Sequence, residues 1–233
     1  MSENDEQYEL CFKVLRRLEK AGVLHQIVLI GSWCVYFYKD YFEEELPAPR
    51  TRDIDFLIAT PPKIKPSIDI PAMLTDLNFL VHFHSNGAMR IEHPKLIVDF
   101  LVPEKGKGGA GPYKVKELGV TVQQLRFVSL LLDNTISFMS HGLRLTLPHP
   151  INFALQKLII SGRRTKVEKA DKDRRQAIDV LKIVMDTNEE EKIRPLFDKL
   201  PKGWRAAIVK ALKTERQDAI LTFLTDPQRK ISL

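Results

Sequence analysis

The chain has 233 residues, 44% hydrophobic and 28% charged, with a formal net charge of +6 at pH 7. That length buries a core without staples, and two cysteines, Cys11 and Cys34, exclude a disulfide framework and favour a reducing compartment. Met1 to Leu10 is acidic rather than basic and apolar, and the apolar runs are far too short to span a bilayer, so a cytoplasmic protein without membrane contact is expected.

In chain order, Glu6 to Lys20 spaces Leu10, Val14 and Leu18 as an amphipathic helix. Ile27 to Ile30 is a short β-branched run that predicts a buried strand, stopped by Gly31-Ser32, with a helix over Trp33–Tyr41. An acidic, proline-containing loop leads to a second strand, Ile54–Ile58. Pro61, Pro62 and Pro66 break it, and Ile70–Leu77 reads as a short helix. Leu80–His84 and Ala88–Glu92 alternate around Asn86-Gly87, a hairpin signal. Leu96–Val102 predicts the next strand, Glu104–Pro112 a glycine-rich loop, and Leu125–Leu131, Thr135–Met139 and Leu143–Leu147 three more alternating segments. Past Pro148 only helical patterns remain: Pro150–Ser161, Val167–Met185, Glu189–Leu200, Trp204–Leu212 and Arg216–Leu224. The expected fold is α+β over residues 1–148, followed by a helical domain over 149–233. From residue 150 onward 19 Lys and Arg stand against 12 Asp and Glu, a net of +7. Such an excess points to a phosphate-rich partner or to a solvated helix surface kept for solubility.

Asp53 and Asp55 sit two apart on a strand and so share a face. Carboxylates that close repel each other unless a cation lies between them, and hard oxygen ligands suit Mg²⁺ or Mn²⁺. Asp99, inside the apolar run Ile97–Leu101, is a third acid that needs a partner. If its strand lies beside that of Asp53, three carboxylates converge and suffice for two metal ions and an in-line displacement at phosphorus. Taken alone, Asp53 and Asp55 read more simply as a solvated strand-end pair. Gly31-Ser32, where a strand turns into a helix, offers backbone N–H groups and a hydroxyl to a phosphate, or a plain helix N-cap. Gly106 to Gly111 is no P-loop, because Pro112-Tyr113 stands where Lys-Ser/Thr must. His82 and His84 share a strand face without a third zinc ligand, and Trp33, Tyr36 and Phe37 read as core.

Ile30-Gly31-Ser32, then Asp53-Ile54-Asp55-Phe56, then Val98-Asp99-Phe100 resembles the signature of the DNA polymerase β nucleotidyltransferase superfamily. The run Arg50 to Phe56 is similar to bacterial stand-alone members, including abortive-infection toxin nucleotidyltransferases. The similarity extends to Pro150–Leu181, where Lys157 stands at the position of a helix lysine that contacts nucleotide phosphates. Coverage is roughly residues 27 to 182, and the span between Ser32 and Asp53 is longer than in the most compact members.

The resemblance implies a nucleotidyltransferase-like mixed sheet flanked by helices and a metal-dependent transfer of an NMP from an NTP to an acceptor hydroxyl. Asp53, Asp55 and Asp99 would be catalytic and hold Mg²⁺ or Mn²⁺, while Gly31, Ser32, Lys157 and Arg52 would bind the nucleotide. Arg52 has the plainer alternative of pairing with a neighbouring carboxylate, and so has Arg50. Lys172 and Asp173 read as members of i,i+4 pairs on a solvated helix, and only the resemblance places them among the family's downstream motifs; Arg163 and Arg164 read as a basic loop open to either role. The acceptor is an RNA such as a tRNA end, a protein or a small molecule, and an antitoxin partner would go with a toxin role. Two other readings stand beside this one: a non-catalytic nucleotide- or RNA-binding protein of the same fold, and a DxD glycosyltransferase.

Overall fold

The alternating direction of side chains along two neighbouring strands decides where the polar face of this fold lies. A computed structural model describes residues 3–46, 51–65, 67–104, 106, 111–187 and 189–225. The proline loop with Arg50, Pro66, and Lys107–Ala110 of the glycine-rich loop lie outside the described residues. The main sheet contains β1 (Val28–Ile30), β2 (Asp53–Leu57), β3 (Leu80–Phe83), β4 (Met89–His93), β5 (Leu96–Pro103), β6 (Tyr113–Val115) and β7 (Val120–Leu125). Its order is β1-β2-β5-β4-β3, with β7 beside the C-terminal end of β5 and β6 beyond β7. β2 and β5 run parallel, while β1 and β4 are antiparallel to them. A separate hairpin joins β8 (Ile136–Ser140) to β9 (Leu143–Leu147).

Helices flank the sheet: α1 (Glu3–Lys20), α2 (Trp33–Phe42) and α3 (Ile70–Leu74). The helical part follows as α4 (Pro150–Ser161), α5 (Val167–Met185), α6 (Ile193–Asp198), α7 (Lys202–Thr214) and α8 (Asp218–Thr225). α4 is buried nearly all round and packs against α5 and α7. Pro150 opens it at a position where a missing N–H costs nothing. The expected mixed sheet with flanking helices and a helical C-terminal part is what forms. Among the described residues no helix is long and apolar enough to cross a membrane.

Three expectations shift. Leu125–Leu131 is no strand: β7 ends at Leu125, and a 3-10 turn at Ser129–Leu132 carries Leu130 and Leu131 inward. The strand pairing lies upstream, in β6 and β7, where Val120 and Val122 alternate inward. The segments expected as single helices at Ile70–Leu77 and Glu189–Leu200 each divide into a 3-10 turn and a short α-helix. In the second, Pro195 has no N–H to donate and is tolerated only in a first turn, which fits α6 starting at Ile193.

The principal core is continuous from Cys11 in α1 to Leu224 in α8. Tyr38 of α2 meets Phe153 of α4 edge-on at 5.3 Å and donates its hydroxyl to the Pro148 carbonyl at 2.8 Å. The opposite sheet face carries a smaller apolar cluster, Val28, Ile30, Leu57, Leu101, Val128 and Leu131. The first four of these share the face of Asp53, Asp55 and Asp99, so the acids stand beside a dry apolar patch.

Candidate active site

Ile54 and Phe56 are fully buried in the principal core, so the period-two geometry of β2 turns Asp53 and Asp55 to the other face. Parallel register places Asp99 of β5 directly opposite Asp55, and antiparallel register places Ile30 of β1 on its other side. β4 adds a cation to this row. Arg90 follows the Ile91–Val98 pair along the ladder, and its Nη2 donates to Asp99 Oδ2 at 3.3 Å. The three acids, Arg90 and Gly31 line one cleft of about 510 Å³.

Gly31 makes the acids' packing possible. It adopts φ +76°, a left-handed conformation, and a Cβ there would lie 2.3 Å from Asp55 Oδ2. Burial, then the nearby charges of Asp99 and Asp53, push the Asp55 carboxyl up to about 7. Burial also raises Asp99, against the pull of Arg90.

The cations facing this row come from the helical part. Lys157 on α4 is 5% exposed and donates to Asp173 Oδ1 of α5 at 2.6 Å. Arg164, in the α4–α5 loop, donates to the other oxygen of Asp173 at 2.7 Å. Asp173 is therefore a buried counter-ion and not a member of a solvated i,i+4 pair. A buried ammonium left without an anion would be costly, and Asp173 removes that cost. Arg163, Arg164 and Lys169 line the cleft with Lys157. Lys172 is held below its ordinary pKa by burial and by Lys157, and feels Asp53 and Asp173 as opposing charges.

Other expected site residues sit differently. Ser32 turns its hydroxyl to Gln176 Oε1 of α5 at 3.3 Å and makes no cap bond to α2. The amides of Cys34 and Val35 are already taken by the carbonyls of Gly31 and Ser32. Those two amides are thus committed within the turn. Arg52 pairs with Glu92 at 3.2 Å and donates to the His93 carbonyl, along β4 and away from the cleft lining. Trp33 and Phe37 are core, as expected. Arg90, Phe127 and Gln156 line the cleft without having been singled out in the sequence. Arg90 had one signal: a basic residue just past the Asn-Gly turn, on the strand that must return beside Asp99.

The donor set suits a hard divalent cation. It is all oxygen, and the carboxyl of Asp55, raised by burial and by Asp99 and Asp53, is one that a cation between the acids would hold ionised. Asp99 is held by Arg90, and among the described residues no three His, Cys, Asp or Glu side chains are gathered tightly enough to hold a metal ion as they stand.

Comparison with known proteins agrees with the fold. A crystal structure of an antigenic nucleotidyltransferase-like protein from Paracoccidioides brasiliensis matches with a TM-score of 0.50 and 12% identity, covering 91% of each chain. The solution structure of the antibiotic-resistance factor ANT(2'')-Ia matches with a TM-score of 0.45 and 11% identity, over 94% of this chain and 99% of that one. A tRNA nucleotidyltransferase complexed with a primer tRNA and an ATP analog gives a TM-score of 0.26 at 11% identity, over 94% and 64%. No curated protein matches the chain at a significant level. A family model described as nucleotidyltransferase matches residues 9–199, most of the chain, and the protein belongs to that nucleotidyltransferase family.

Proposed function

We propose that the protein transfers a nucleoside monophosphate from an NTP to an acceptor hydroxyl, and that Asp53, Asp55 and Asp99 form the reacting end of the cleft. The observation that carries this reading is the cross-strand row Asp55–Asp99, with Asp53 on the same face and four cations from the helical part opposite it. In this division of labour residues 1–148 supply the acids and residues 149–233 the phosphate-facing cations.

The chain's own residues account for most of the chemistry. Asp53 and Asp55 would hold Mg²⁺ or Mn²⁺ together with Asp99. When bound, the cation supplies Lewis acidity at the phosphoryl oxygens. Lys157 and Arg164 orient the triphosphate and offset its charge. Asp99, on the same face, accepts the acceptor's proton. The acceptor oxygen forms a bond to the α-phosphorus as the α–β bridging bond breaks, and pyrophosphate leaves with that electron pair. The basic α4–α5 loop supports an RNA end, such as that of tRNA, as acceptor over a small molecule.

The test incubates the protein with each α-labelled NTP, Mg²⁺ or Mn²⁺, and total tRNA or a cell lysate. Labelled acceptor is expected, and Asp53→Asn or Asp55→Asn should reduce it by about a thousandfold while the fold persists. One observation favours a second reading, nucleotide binding without transfer: Asp99 is already engaged by Arg90. NTP and cation binding with no labelled product against any acceptor would select it.

A further inference from the structure

The α4–α5 loop and the segment after β7 together build a feature that phosphate binding does not need. Phe127 adopts φ +65°, a backbone conformation rare for a bulky side chain. Such strain persists only where the surroundings over-determine it, and it gathers at functional sites. The surroundings here are aromatic and cationic. Trp204 of α7 meets the Phe127 ring at 5.3 Å and 63°, and the Arg163 guanidinium lies over the ring with Cζ 4.4 Å from its centroid. Both Phe127 and Arg163 line the carboxylate cleft.

Two neighbouring arginines contrast sharply. Arg164 is bound to buried Asp173, whereas Arg163, among the described residues, forms no ion pair and rests on the Phe127 ring. A ring–guanidinium contact holds the planar cation in place without consuming its charge. The result is a column, Trp204–Phe127–Arg163, that ends on an exposed guanidinium in the cleft. Planar guanidinium groups are surfaces on which nucleobases stack.

We propose that Arg163, seated on Phe127 and backed by Trp204, is the stacking shelf for the base of the bound NTP. This rests on the nucleotidyl-transfer reading of the cleft and adds to it the subsite for the base. Stacking uses the π-face that every base has, so the shelf accepts all four, with the larger purine rings preferred.

The test separates the plane of the guanidinium from its charge. Arg163→Lys keeps the charge and loses the plane. Binding of ATP and of inorganic tripolyphosphate is measured, with Mg²⁺, for wild type and Arg163→Lys. The variant should bind ATP about tenfold more weakly, the order of one lost base stack, with tripolyphosphate affinity unchanged. A second readout uses tryptophan emission. The chain has two tryptophans, so Trp33→Phe leaves Trp204 alone to report. Its emission should change on ATP and not on tripolyphosphate. Equal weakening of both ligands would make Arg163 a phosphate contact and overturn the shelf, as would no weakening of either. If wild type binds tripolyphosphate and ATP with equal affinity, the shelf fails while the phosphate site stands. If it binds neither, the nucleotidyl-transfer reading falls and the shelf with it.

Discussion

A methyl group on Gly31 would meet two separate penalties. The backbone at φ +76° disfavours any L side chain, and the new Cβ would lie 2.3 Å from Asp55 Oδ2. Gly31→Ala should therefore destabilise the protein by about 2 kcal/mol or more, the sum of a left-handed backbone cost and a displaced carboxylate. In an Asp55→Ala background the clash is gone and only the backbone cost remains. A double-mutant cycle by denaturant unfolding should show coupling of at least about 0.5 kcal/mol. Additive costs would mean that Gly31 is required by its backbone alone. The three acids and this glycine were legible in the sequence, because spacing of two on a strand and a strand-stopping glycine are local facts. Arg90 and the Asp173 partnership were not. Each depends on a pairing between segments, the β4–β5 register in one case and the α4–α5 packing in the other. The Ser32–Gln176 contact was hidden for the same reason, since Gln176 is far along the chain.

Helix α4 carries Lys157 into the cleft, so its start matters as an element. His149 is its N-cap, and Nδ1 accepts from the Ile151 N–H at 3.3 Å, which requires the neutral ring. Its Nε2 faces Glu189 at 3.4 Å, but burial, with Lys192, holds the ring below its ordinary pKa. An unfolded His149 takes up a proton near pH 6.5, and the folded one does so only at lower pH. Stability therefore falls as pH drops through that window, by at most about 1.4 kcal/mol per pH unit. His149→Asn retains a capping acceptor and removes the titration. Between about pH 7.5 and about pH 5.5, wild type should lose several degrees of Tm more than the variant; equal losses would place the pH sensitivity elsewhere. The bounds of α4 match the sequence because Pro150 opens an apolar run that Gly162 ends, and those of α5 because burial and charge alternate at helical spacing over a long run. Strands β6 and β7 were hidden for the converse reason. β6 has three residues, and Gln123 and Gln124 dilute the apolar end of β7.

At the scale of the whole molecule, residues of the sheet and of the basic helical part line one cleft. The acids come from β2 and β5, and the cations Lys157, Arg163, Arg164 and Lys169 from α4, α5 and the loop between them, joined by Arg90 and Arg126. A ligand that touches both walls binds only when both are in place, so it must stabilise the native chain as a unit. At a concentration of about 100 Kd that stabilisation is about 2.7 kcal/mol, which for a chain of this size raises Tm by about 5 to 10 °C. The two walls also dictate how the components combine. On the proposed reading, ATP alone should meet the cationic wall but be repelled by the Asp53–Asp55–Asp99 row, and Mg²⁺ alone should meet only the acids. The full shift should need both together, and added salt should diminish it, because surface charges such as Arg163 and Lys169 are screened. Thermal denaturation with Mg²⁺, ATP and the pair checks this directly. A full shift from ATP without a divalent cation would show that the carboxylate row is not the cation site, even if the basic wall binds phosphate as expected.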